Sequence, residues 1–205
     1  IENVPAILTR KNAQRFETLK QLDRYELTSA VVKDSALGGF TKRKRAIIIG
    51  SRIGKVILPE NKNTKLKTVR EALKKVDAEW YNFSDISIPS EITRKKMRYV
   101  RPGHNWKDIP TELQDRGTHD NHYRRLSWEG LSPALVNWRK CLLLHPEEDR
   151  ILSVAEAAAL SGLNKDFRFV GSLNDKQQQV GNGVPQAIAE FVKDIVKNKL
   201  LTAAY

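Results

Sequence analysis

The chain has one cysteine, Cys141, and one methionine, Met97, among 205 residues. A lone cysteine excludes an internal disulfide, and with only four scattered histidines it excludes a cysteine-rich zinc site. A reduced, cytoplasmic setting is the default expectation. No apolar run approaches the ~20 residues of a membrane span. No basic-then-apolar leader opens the chain, and there is no internal repeat or low-complexity tract. Residue 1 is Ile, so the polypeptide is expected to continue upstream of it.

What is present in excess is positive charge. Apolar residues make up 40% and charged residues 29%, which fits a globular chain with a core rather than a disordered one. The net charge of +12 is unevenly placed. Residues 1–40 carry 6 basic and 5 acidic side chains, residues 41–125 carry 21 and 10, and residues 126–205 carry 9 of each. An excess confined to the middle is the footprint expected of a polyanion-binding region, and nucleic acid is the first partner to consider. The plain alternative is a solvated lysine-rich surface.

A coarse pass predicts a strand end over 1–8 turning at Pro5, a weakly helical stretch over 10–24, and short strands at 27–32 and 45–50. The run Arg45-Ala46-Ile47-Ile48-Ile49-Gly50 is β-branched and continuous, as in a buried strand. Leu66, Val69, Leu73 and Val76 repeat at helical spacing, predicting a helix over 64–78 capped by Thr64 or Thr68. Residues 80–125 hold Pro89, Pro102, Gly103, Pro110 and Gly117 and read as irregular. Ser153 with Glu156 forms a capping box for a helix over 153–163. Residues 184–201 form an amphipathic helix starting near Pro185. Two strand–helix ends thus flank a basic, irregular middle.

The chemistry-bearing residues are individually weak signals. Glu2-Asn3-Val4 is three residues long, and a lone glutamate is usually a surface charge. Arg43 and Arg45 stand at i and i+2 before the buried strand, so they point to one side of an extended segment. Their planar forks suit a carbonyl oxygen or a phosphate, though an ordinary basic strand edge would look the same. Cys141 lies in an apolar run with no proline before it and reads as a buried structural residue. His119 and His122 flank Asp120 without a third ligand, so a polar loop is expected and no metal. Trp80, Trp106, Trp128 and Trp138 read as packing residues.

Further on come Tyr123-Arg124-Arg125-Leu126-Ser127-Trp128, Leu131-Ser132-Pro133-Ala134, Leu144-His145-Pro146 and Asp149 to Val154. Then follow Phe167-Arg168-Phe169, Gln177 to Gln179 and Gly181-Asn182-Gly183-Val184-Pro185. In this order and spacing the series resembles the C-terminal half of DNA (cytosine-5)-methyltransferases. Glu2-Asn3-Val4 then matches the family's Glu-Asn-Val motif, Arg43 and Arg45 its Gln-x-Arg-x-Arg motif, and 181–185 its terminal Gly-Asn-(Ala/Gly)-Val-Pro motif. The resemblance covers essentially the whole chain.

The resemblance implies an α/β fold: part of an S-adenosylmethionine-dependent, Rossmann-like domain plus a small, loop-rich, mainly β target-recognition domain. It implies boundaries at 1–55 and 176–205 for the catalytic parts and 56–175 for the recognition domain. The family flips a cytosine out of double-stranded DNA, attacks C6 with a cysteine thiolate and methylates C5 from S-adenosylmethionine. By motif match Glu2 is the partner of the ring N3, and Arg45 contacts O2 or the surroundings of the flipped base. Arg43 holds that loop and the nucleophile in place. Asn182 and Val184 line the cofactor pocket. Arg124 and Arg125 organise the recognition lobe or touch phosphates, and Lys95, Lys96, Arg98 and Arg101 are expected on phosphates or in a groove.

Departures are visible. The family's Gln before the arginine pair is Thr41, its Pro-Thr is Pro133-Ala134, and an arginine common before Glu156 is Ala155. The glycine-rich cofactor loop and the Pro-Cys nucleophile loop are absent from these residues. The chain alone is therefore expected to be inactive and to need an N-terminal catalytic half, on the same polypeptide or a separate one. The expected location is cytoplasmic, on a bacterial or phage nucleoid. A non-catalytic DNA-binding module is the rival reading. The family's RNA-methylating branch fits less well, because its Cys-Phe-Thr run is missing.

Overall fold

The sheet is built first from β-branched residues. In a computed structural model, which describes residues 1–21, 23–59, 65–116, 119–136 and 138–203, three strands form one antiparallel sheet. They are β1 (Glu2–Asn3), β2 (Glu26–Lys33) and β3 (Lys44–Ser51), in the order β1-β3-β2. The central β3 buries Ala46, Ile47 and Ile48 in succession, so both of its faces are covered. β2 alternates instead: Val32 is buried and Val31 is exposed. The register sets Glu2 and Ala30 on either side of Ile47, and Val32 opposite Arg45. Pro5 cannot continue the β1 ladder and opens a 3-10 turn over Pro5–Leu8.

The last helix packs on this sheet. α1 (Ala13–Lys20) lies within the stretch read as weakly helical. The last helix, α6 (Gln186–Ala203), lays Ile188, Phe191 and Val192 on Val32, Ile47 and Ile49. This small core is separate from a much larger one. The larger core holds Met97, Val100, Leu126, Leu135, Trp138, Leu144, Leu152, Val154 and Leu160, and takes Phe40 and Val180 from the flanking segments. A buried leucine of this kind is worth about 2–5 kcal/mol against alanine.

Four short helices frame the larger core. α2 (Val69–Leu73) has a Thr68/Glu71 capping box, and α3 (Glu91–Met97) is capped by Ser90. α4 (Val154–Leu160) buries all seven residues behind a Ser153/Glu156 box. α5 (Leu173–Asn182) starts from a Ser172/Asp175 box. Trp138 is buried and Trp106 and Trp128 pack against the core, as packing residues should.

Three expectations need correction. The helix over 64–78 is only Val69–Leu73; Leu66 is exposed and Thr64 lies outside the described residues. The segment 80–125 is irregular apart from 3-10 turns and α3, whose cap supplies the start that its charged sequence conceals. The segment 56–175 is loop-rich but not mainly β. Among the described residues of 56–175, extended pairing is limited to isolated bridges, such as Arg125 with Leu144 and Leu144 with Ile151. Buried arginines take up the carbonyls that a ladder would otherwise satisfy.

Candidate active site and nucleic-acid face

Glu2, Arg43 and Arg45, spread over 44 residues of sequence, meet at one edge of the sheet. Antiparallel pairing of β1 with β3 brings the Glu2 carboxylate onto the Arg45 guanidinium as an ion pair. Arg45 is mostly covered and also donates from Nη1 to the Lys44 carbonyl at 2.8 Å. Arg43 is buried. Its Nη1 donates to the Gly181 carbonyl at 2.9 Å, and its Nε has no partner. Burial, then the neighbouring Arg45 charge, push the Arg43 guanidinium below its ordinary value; Glu2 and Asp34 oppose this.

The Gly181 bond ties the arginine pair to the terminal motif. Val184 lies on an open apolar cleft of about 470 Å³ shared with Ile1, Glu2, Ile47, Ile49 and Ile188. Asn182 is exposed, and its Oδ1 accepts from Gln178 Nε2 at 2.8 Å. Glu2 is thus the one acid on the lining of a largely apolar wall.

The basic residues divide by what they touch. Arg94, Lys95 and Arg98 line the exposed side of α3 together with Glu91 and Ile92. Arg98 stands 3.6 Å from Asp149 but remains largely open. Lys96 turns inward onto Asp115 at 2.5 Å and is largely covered, so it leaves the set expected to face DNA. Arg101 donates from Nε and Nη2 to Asp108 at 3.0 Å each. That pairing holds the Asp108 carboxyl down at about 2. Arg124 is half-buried.

Arg125, expected either to organise the lobe or to touch phosphate, spends its donors within the segment 56–175. Its Nε donates to the Val100 carbonyl, Nη1 to those of His145 and Glu148, and Nη2 to that of Met97 and to Asp149 Oδ1, all between 2.6 and 3.0 Å. Five donors meet five acceptors, leaving none for a phosphate. Arg150 plays a similar part, bridging Glu148 and the buried Glu156. Burial lowers the Arg150 guanidinium, but those two carboxylates outweigh it and the net direction is up. Sequence reasoning missed Arg150 and the buried Asp34; neither has a local pattern that separates it from a surface charge.

Cys141 is half-buried in the lobe with its Sγ 3.9 Å from His119 Nε2, and burial raises its thiol. Among the described residues no group of three acidic, histidine or cysteine side chains is placed to hold a metal, and no helix is long and apolar enough to cross a membrane.

The profile of the C-5 cytosine-specific DNA methylases matches residues 1–198. This chain belongs to that family. A type II methylase of Herpetosiphon aurantiacus, M.HgiDII, is 26% identical over 98% of the chain and 64% of its own length. A type II methyltransferase of Haemophilus parahaemolyticus, M1.HphI, is 28% identical over 96% of the chain and 55% of its own. The chain therefore spans little more than half to two thirds of these relatives. The fold agrees with that of a putative DNA modification methyltransferase encoded within an Escherichia coli prophage. The TM-score is 0.74 at 20% identity, covering 97% of this chain and 68% of that one. The S. pombe Dnmt2 methyltransferase gives 0.64 at 12% identity, over 98% and 67%. The fold is thus that of methyltransferases, of mixed α/β class.

Proposed function

We propose that this chain is the C-terminal portion of a DNA cytosine-5 methyltransferase and completes its active site without supplying the nucleophile. The meeting of Glu2, Arg43 and Arg45 beside the Val184 cleft carries this reading. In it, residues 1–55 and 176–205 belong to the catalytic domain and 56–175 to target recognition. A carboxyl and a guanidinium side by side match the edge of a cytosine, where N3 and O2 are adjacent. Glu2 would hold a proton at N3 and Arg45 would donate to O2, both meeting the charge that builds when a thiolate adds to C6. Arg43, held by Gly181, would keep the arginine loop against the terminal motif.

S-adenosylmethionine would supply the methyl group. Val184 fits one apolar wall of its pocket, and Asn182 stands beside it with its amide turned to Gln178. The donor's charged groups need partners beyond these two. Duplex DNA would lie against the α3 face, with Lys95 and Arg98 on phosphates. Arg101 would present a charge already shared with Asp108, and Arg124 would lie nearer the lobe. Cys141 is a poor nucleophile here, since burial keeps its thiol protonated. A cytoplasmic location on a bacterial or phage nucleoid accords with the bacterial relatives.

The test is methyl transfer to duplex DNA from labelled S-adenosylmethionine. The chain is assayed alone and mixed with a polypeptide carrying the Pro-Cys half of the enzyme. No transfer alone and transfer in the mixture is the expected result. Transfer by the chain alone would overturn the need for a second half. Failure of both, with retained DNA binding, would favour a non-catalytic binding module.

A further inference from the structure

We propose that Asp34 and Thr41 are positioning residues that set the direction of Arg43 and Arg45 from a buried clip behind the strand; this rests on the methyltransferase reading above. Asp34 sits at the end of β2 and is 1% exposed. Its Oδ2 accepts two bonds from Thr41, from the backbone N–H at 2.9 Å and from the hydroxyl at 2.6 Å. The same hydroxyl accepts from the Arg43 N–H at 3.2 Å. The Asp34 N–H donates to the Arg43 carbonyl at 2.9 Å. Arg43 is therefore held at both its amide and its carbonyl by one acid–hydroxyl unit.

Room for that unit comes from Gly39. A Cβ there would lie 1.9 Å from Asp34 Oδ1, well inside contact distance, so only glycine admits the carboxylate. The clip also reaches the recognition lobe. Lys42 N–H donates to the Ser132 carbonyl at 2.8 Å, and Ser132 N–H donates to that of Phe40 at 3.0 Å. Thr41 stands between those two tied residues, its hydroxyl held by the buried acid. Neither side chain lines the Glu2 cleft. Their influence on chemistry runs through where the two guanidinium groups stand.

Two pairs of variants test this in the mixture of the chain with the Pro-Cys half. T41V removes the hydroxyl and T41S keeps it. D34A removes both acceptor bonds, while D34N leaves one oxygen able to receive them. T41V and D34A should lower kcat about a hundredfold, the scale of an ångström's misplacement of a catalytic group. The KM for DNA should hold, and T41S and D34N should recover most of the rate. A fall in thermal midpoint with unchanged kcat would overturn the proposal, as would equal losses in T41S and T41V. If the wild-type mixture transfers no methyl, the methyltransferase reading fails by itself. The clip is then decided on the chain alone by the 15N resonances of the Arg43 amide and Nε. Shifts in T41V that return in T41S support it, and unmoved resonances overturn it.

Discussion

Arg125 and Arg43 are both buried arginines, and they are treated in opposite ways. Arg125 has every donor matched inside the lobe, four to carbonyls and one to Asp149. Arg43 has one matched nitrogen, a buried Nε without a partner, and a like charge beside it. The lobe uses charge to satisfy its own irregular backbone, which a ladder-poor fold requires. The sheet edge holds charge under tension near an open cleft, which is how groups for chemistry are kept.

The sharpest way to break that comparison is to remove each arginine and measure urea unfolding of the chain. R125A strips the buried bonds from the Met97, Val100 and His145 carbonyls and releases the partly exposed Asp149. It should cost about 3–5 kcal/mol, enough to unfold the lobe. R43A loses one carbonyl bond and relieves an unfavourable burial. It should cost about 1 kcal/mol. Equal losses would show that Arg43 is as structural as Arg125.

A smaller effect separates two adjacent glycines. Gly38 has φ 82°, and a side chain there meets nothing. G38A pays only for left-handed backbone, about 1 kcal/mol. Gly39 has no such φ, but its Cβ would strike the Asp34 carboxylate. G39A should cost about 1–3 kcal/mol and also disturb Arg43, because the clip must shift. If G38A proves the worse of the two, the carboxylate is not where its role requires it.

Some of this was legible in advance. The i, i+2 spacing of Arg43 and Arg45 fixes a common side once the strand is recognised, and the isoleucine run announces the strand. The Ser153/Glu156 box and α6 appear where capping and periodicity put them. α5 escaped notice because its polar sequence, Leu173 to Asn182, has little apolar period and buries few residues. The resemblance implies a mainly β lobe where the residues themselves read as irregular, and Leu144 and Ile151 meet only in a bridge. Sequence alone leaves Arg125 between lobe and phosphate and puts Lys96 on DNA, because burial of a charge is decided by distant residues, here Val100, His145 and Asp115. The Asp34–Gly39–Thr41 clip has no periodic trace at all.

The finest distinction is the opposite pH response of two aspartates. Asp108, in the lobe, is held at about 2 by Arg101, below its ordinary 3.8. Its stabilisation is complete above the unfolded value and is lost as pH falls towards 2. With Arg101 largely exposed, solvent screening limits it to about 1 kcal/mol. Asp34 moves the other way. Burial raises its carboxyl despite Thr41's bonds and the charges of Arg43 and Lys67, the groups that face it. The folded chain then binds this proton more readily than the unfolded chain does. Asp34's contribution is complete below the unfolded value and declines as pH rises through the folded one. Urea midpoints followed from acid to neutral pH should therefore separate the variants. D108N should flatten the acid limb, whereas D34N should remove a decline on the less acidic side. The reverse pattern would mean that the lobe, and not the sheet edge, carries the carboxyl held against its preference.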